Sequence, residues 1–172
     1  MILHHTFSLI ERASSGVLSA RIVEFGRRER FIPLEDTSRE IIETWDHGSV
    51  RMIARNCCLH YEHREDRLVA DPSQVIFRQD AKGVTVDMAA WPDRPAAQIA
   101  RAGVEMGELT GISVEALVEH TEIDPQRVQH IKRGVIIGAA LVREPAYDYA
   151  TLRSAAWQPA PVAPRRKLYL VS

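Results

Sequence analysis

Cysteine is scarce here: there are two among 172 residues, and they are neighbours, Cys57 and Cys58. Adjacent cysteines seldom bridge each other, so no disulfide framework is expected and a cytosolic compartment is the default. An excess of charge of either sign is also missing. Twenty-two Lys and Arg stand against 23 Asp and Glu, for a formal net charge of -1. That balance argues against a dedicated nucleic-acid binder, which carries a cationic excess or stripe. No apolar run approaches the roughly 20 residues that a membrane-spanning helix needs. The opening Met-Ile-Leu-His-His-Thr-Phe-Ser-Leu-Ile has neither the basic n-region nor the long h-region of a secretory signal. No internal repeat is present.

What is there fits a globular chain: 45% hydrophobic and 26% charged residues, enough for one domain with a modest core. The composition changes after Ala155. Trp157-Gln-Pro-Ala-Pro-Val-Ala-Pro164 reads as an extended, polyproline-like segment, followed by Arg165-Arg166 and the apolar tip Leu168-Tyr-Leu-Val171. A domain over residues 1–154 and a Pro-rich C-terminal arm over 155–172 are therefore expected. The apolar tip suits an arm that adds a strand to a partner or to its own sheet.

Residues 16–25 alternate loosely and read as a strand broken by Gly26. Thr37-Ser38-Arg39-Glu40 matches a capping box, which predicts a short helix running towards Trp45. Residues 50–61 are apolar enough for a buried strand. Residues 74–79 and 83–90 flank Asp80-Ala81-Lys82-Gly83, predicting a hairpin. Pro95, just inside a cap at Asp93 or Arg94, predicts a helix to about Met106 with Gly107 as its stop. A strand is expected over 109–119, and Asp124-Pro125 caps a short helix ending near Gly134. Val135-Ile-Ile-Gly-Ala-Ala-Leu-Val142 reads as a strand covered on both faces. The sum is an α+β fold: a compact β-barrel-like sheet of about six or seven mostly antiparallel strands with about three surrounding helices. Trp45, Trp91 and Trp157 read as packing residues at element ends.

Cys57-Cys-Leu-His-Tyr-Glu-His63 is the densest chemical stretch. As a strand it puts Cys57, Tyr61 and His63 on one face and Cys58 and His60 on the other, and no second Cys or His pair follows at zinc-like spacing. A metal-binding domain is thus the weakest reading, and no metal or cofactor is expected. Nucleophilic catalysis instead needs a Ser, a His within hydrogen-bond reach and a group orienting that His. Ser113, on a strand just past Gly111, is the candidate nucleophile.

The order of these features resembles the prohead (capsid maturation) proteases of tailed bacteriophages, which share a fold with the herpesvirus assemblins. The opening strand Gly16-Val-Leu-Ser-Ala-Arg-Ile-Val-Glu-Phe-Gly26, then Arg39-Glu-Ile-Ile42 with Gly48-Ser49, fit the first two blocks of that family. Leu59-His-Tyr-Glu-His-Arg-Glu-Asp66 stands where its catalytic His is found, which places His63 in that role. The Asp80-to-Gly83 turn follows, and Gly107 to Ala116 matches the nucleophile block with Ser113 as nucleophile. Leu141-Val-Arg-Glu-Pro-Ala-Tyr147 matches the last block, so the resemblance spans about residues 16–150.

Two departures stand out. The family places an acid seven positions before the final Pro, where this chain has Gly138, and Glu115-Ala116 replaces a Gly-Phe after the nucleophile. On a regular strand Glu115 shares a face with Ser113 and offers a substitute third member. His120 or His130 offers a Ser-His-His alternative like that of the assemblins.

The resemblance implies a serine endopeptidase acting on scaffold and capsid-protein segments during head assembly. Ser113 would be its nucleophile, His63 its general base, and backbone N–H groups around Arg143 its oxyanion donors. It also implies capsid and scaffold partners, self-association, no nucleic-acid or membrane partner, and a place in the host cytoplasm within the prohead. The alternative is an inactive homologue that decorates a capsid or tail and resides in the virion, motivated by Gly138 and the apolar arm.

Overall fold

The computed structural model describes residues 2–7, 18–31 and 40–143; for residues 2–7 and 31 it describes the backbone alone. The strands are β1 (Ile2–Phe7), β2 (Leu18–Glu24), β3 (Glu29–Phe31), β4 (Ile41–Trp45), β5 (Val50–Met52), β6 (Cys58–Tyr61), β7 (Arg64–Ala70), β8 (Ile76–Asp80), β9 (Gly83–Met88), β10 (Gly111–Ile123) and β11 (Val128–Val142). Among the described residues there is one α-helix, α1 (Pro95–Glu105), and one 3-10 turn at Ala54–Asn56.

Strand β11 organises the larger sheet. Along one side it pairs antiparallel with β10, whose other neighbour is β1. Along its other side it meets three short strands in succession, all parallel to it. Ile42 pairs with Val128 (β4), Val50 with Gly134 (β5), and Cys58 with Gly138 (β6). β3 adds to β4, and β7 to β6. The smaller sheet is antiparallel, in the order β2-β9-β8. One apolar core serves both sheets: Leu18, Ile22, Val86 and Met88 of the smaller join Trp45, Leu59, Ile112, Ile136 and Leu141 of the larger.

Local signals account for several elements. Asp80 closes the β8–β9 turn, its Oδ1 accepting the N–H groups of Lys82 at 2.7 Å and Gly83 at 3.0 Å. Helix α1 begins with Pro95 directly after Arg94, buries Ala97, Ala100 and Gly103, and stops at Gly107, whose φ of +72° is the left-handed conformation that favours glycine. Both elements match the sequence expectation.

Four expectations are corrected. The segment towards Trp45 is strand β4, not a helix: Ile-Ile-Glu-Thr-Trp is rich in β-branched and aromatic residues, and pairing with distant β11 overrides the local capping signal. Asp124-Pro125 opens the β10–β11 hairpin turn rather than a helix. The Asp124 carboxylate accepts the Val128 N–H at 2.8 Å, a bond that serves a turn as readily as a cap. Residues 50–61 form β5, the 3-10 turn and β6 rather than one strand, so each piece can follow β11. The sheets are open, not a barrel, and among the described residues there is one α-helix where about three were expected. A single isolated bridge, Phe25 to Trp45, connects the smaller sheet to β4, whereas a barrel needs a continuous ladder around its circumference.

The arm over 155–172, the end of the last motif at 144–147, the side chains of His4 and His5, and Thr37-Ser38-Arg39 lie outside the described residues.

Candidate functional site

Ser113 and Glu115 sit on β10, where Gly111 to Ala116 are all buried. The register with β11 is unbroken from Gly111 to Glu115, so Ser113 and Glu115 lie on one side of the strand and Ile112 and Val114 on the other, in the core. The irregularity comes one step later, between Glu115 and Ala116. Ser113 pairs with Thr6 of β1 on one flank and with Ala140 of β11 on the other; Ala140 in turn pairs with His60 of β6. At about 4.8 Å per strand, the Ser113 and His60 Cα atoms stand about 10 Å apart in one row of the sheet. Ser113 has 0% of its surface exposed.

Glu115 is buried as well, and two histidines converge on it. Its Oε2 lies 3.0 Å from His60 Nδ1, and its Oε1 lies 3.1 Å from His63 Nδ1. Burial pushes the Glu115 carboxyl up, but the bonds to His60 and His63 outweigh it and carry the group down to about 2. The bond to Glu115 raises His60 above the ordinary histidine value, against the opposing effect of burial. Each ring engages the carboxylate through Nδ1. That is the division of labour in which a carboxylate orients a histidine whose far nitrogen exchanges a proton with a hydroxyl.

The carboxylate reaches both rings because the position across from it is Gly138. A Cβ built on Gly138 would come within 2.6 Å of Glu115 Oε2 and 3.0 Å of the Cys58 carbonyl oxygen. Glu115 and Gly138 are register partners, so a carboxylate on β10 faces the β11 position where the resemblance implies an acid.

His63 arrives by an unusual turn. Tyr61 pairs with Arg64, leaving a two-residue loop in which Glu62 has φ 53° and His63 φ 56°. Two positive φ values mark the type I′ turn, which suits the twist of a hairpin and normally favours Asn or Gly. The end of β11 holds the loop in place. The Glu62 N–H donates to the Leu141 carbonyl at 2.8 Å, and the Arg143 N–H donates to Glu62 Oε1 at 2.7 Å. The turn corrects the face assigned from alternation: Cys57 and Tyr61 point into the core, whereas His63 joins His60 at Glu115. It also engages the Arg143 N–H, which was expected among the oxyanion donors.

The other candidates lie elsewhere. His120, seven residues along β10 and so about 23 Å from Ser113, is exposed, with its Nε2 3.4 Å from Glu122. His130 is bound by Asp46 at 2.9 Å and Asp124 at 3.3 Å, at the same far end of the hairpin. Cys57 Sγ lies 3.6 Å from the carbonyl oxygens of Ile53 and Ile136, and burial pushes its thiol up to about 11. Among the described residues no group of three His, Cys, Asp or Glu is placed to hold a metal ion. From the sequence His60 is a candidate only as a metal ligand. Its place in the Ser113 row follows from parallel pairing of β6 with β11, which no local signal encodes.

Comparison with family models, with curated proteins and with solved structures returned no match.

Proposed function

We propose that this chain is a serine endopeptidase of the prohead-maturation type, with Ser113 as nucleophile, His63 as general base and Glu115 as the carboxylate that orients it. One observation carries the reading: Glu115, two residues from Ser113 on the same face of β10, binds His63 through Nδ1. In this mechanism His63 Nε2 takes the Ser113 proton as Oγ attacks the scissile carbonyl, and later returns it to the leaving amine. The buried Glu115 charge stabilises the imidazolium formed in between. Scaffold and capsid-protein segments are the proposed substrates, self-association inside a prohead the proposed setting, and the host cytoplasm the proposed location.

The test is intact mass of wild type and Ser113→Ala, incubated side by side at high concentration. Self-truncation in the wild type alone supports the proposal. Full-length chains in both, with no labelling of Ser113 by a fluorophosphonate, reject it.

A second reading rests on the burial of Ser113. A nucleophile closed to solvent meets no peptide until its cover moves, which equally suits an inactive homologue with a structural place in a capsid or tail. Stoichiometric presence in mature particles would favour that role.

A further inference from the structure

Glu115 carries one charge and meets two imidazoles. We propose that His60 is a positioning residue: it holds the Glu115 carboxylate over Gly138 and, by binding a proton from solvent, shares the carboxylate's charge so that less of it falls on His63. The two rings take different oxygens, His60 on Oε2 and His63 on Oε1, so neither displaces the other. Oε2, the oxygen His60 holds, is also the one lying over the missing side chain of Gly138.

The surroundings decide where the proton rests. Glu115 on β10 and Glu65 on β7 are the charged groups acting on His60. β11 contributes Gly138 and Ala140 in the adjoining rows, and neither carries charge. The nearby Cys58 thiol is held protonated, by burial first and then by Asp71 and Glu115. His60, with 16% of its side chain exposed against 23% for His63, is the more enclosed ring. With His60 protonated, the His60–Glu115 pair has no net charge, and His63 faces a dipole. Without His60, the whole carboxylate charge falls on His63 and favours imidazolium, which cannot accept the Ser113 proton.

The charge sharing stands on the two hydrogen bonds to one carboxylate and on the charges around His60, while its meaning for catalysis rests on the protease reading. The experiment is a ring titration of His60 and His63 by nitrogen-15 NMR in the full chain, for wild type, His60→Gln, Glu115→Gln and the double variant. Gln keeps an N–H donor for Glu115 but does not titrate. The expected result is a His63 midpoint about one pH unit higher in His60→Gln than in wild type. Adding His60→Gln to Glu115→Gln should produce no such rise. Equal His63 midpoints in wild type and His60→Gln overturn the proposal. If His60→Gln does not fold, the wild-type titration still decides: a second inflection in the His63 signals at the His60 midpoint supports coupling, and its absence refutes it. Intact coupling without any proteolysis would remove the protease reading and leave this one standing.

Discussion

The carboxylate of Glu115 occupies the space that a side chain on Gly138 would need. The two positions face each other across β10 and β11, so the identity of one limits the other.

Gly138→Ala should therefore cost on the order of 1–3 kcal/mol, the usual range for forcing a methyl group into a packed site. The clash has a named counterpart, so the cost should shrink when Glu115 is cut back. In a double-mutant cycle by urea unfolding, Gly138→Ala in a Glu115→Ser background should be at least 1 kcal/mol milder, within the usual range for residues in contact. Simple additivity would show that Glu115 does not fill that space in solution.

The same site sets a pH window for stability. Glu115 is depressed, from 4.5 to about 2, so its contribution is present above about pH 4.5 and fades as pH falls towards 2. His60 is raised from 6.5, so its contribution is present below pH 6.5 and fades as pH rises through its higher folded value. Stability from the pair should peak between pH 4.5 and 6.5. Glu115→Gln should flatten that profile and lower it by on the order of 2 kcal/mol at pH 5.5, the worth of hydrogen bonds to a charged group. Unfolding midpoints from pH 3 to 9 would show it, and parallel profiles would contradict it.

β1 flanks Ser113 directly, through the Thr6 pair. Removing residues 1–7 leaves β10 as a sheet edge, open to an extended peptide. Fluorophosphonate labelling of Ser113 should become at least about ten-fold faster, a barrier change of about 1.4 kcal/mol, and should vanish in Ser113→Ala. An unchanged rate would mean that β1 does not limit access.

His120→Ala and His130→Ala should leave labelling and self-cleavage within about two-fold of wild type, since both rings bind carboxylates at the far end of the hairpin. His63→Ala should abolish both, at a cost of about 10⁴ or more in rate. Loss of activity in His130→Ala with stability retained would restore it as a third-member candidate.

The legible parts of the chain were those with short-range signals. Asp80 and Gly83 announced their turn, and Pro95 and Gly107 bracketed α1. The spacing of Ser113 and Glu115 also told which side of β10 they share. Two things were hidden. β4 and β6 owe their course to β11, far along the chain, which propensity does not see. The turn at Glu62 and His63 uses two residues that seldom mark a type I′ turn, so alternation carried His63 to the wrong face. The place of His60 was hidden for the same reason: only the combined sheet and turn make it a neighbour of the site.

The relay of β4, β5 and β6 along one strand also sets a timetable. Residues 41–61 have no parallel partner until residues 128–142 exist, and such long-range pairing slows folding. During synthesis the His60–His63 hairpin emerges well before the strand that seats it, and Ser113 with Glu115 arrives in between. The site is thus assembled by a strand made after all of its components, and a partly synthesised chain carries those components without their geometry.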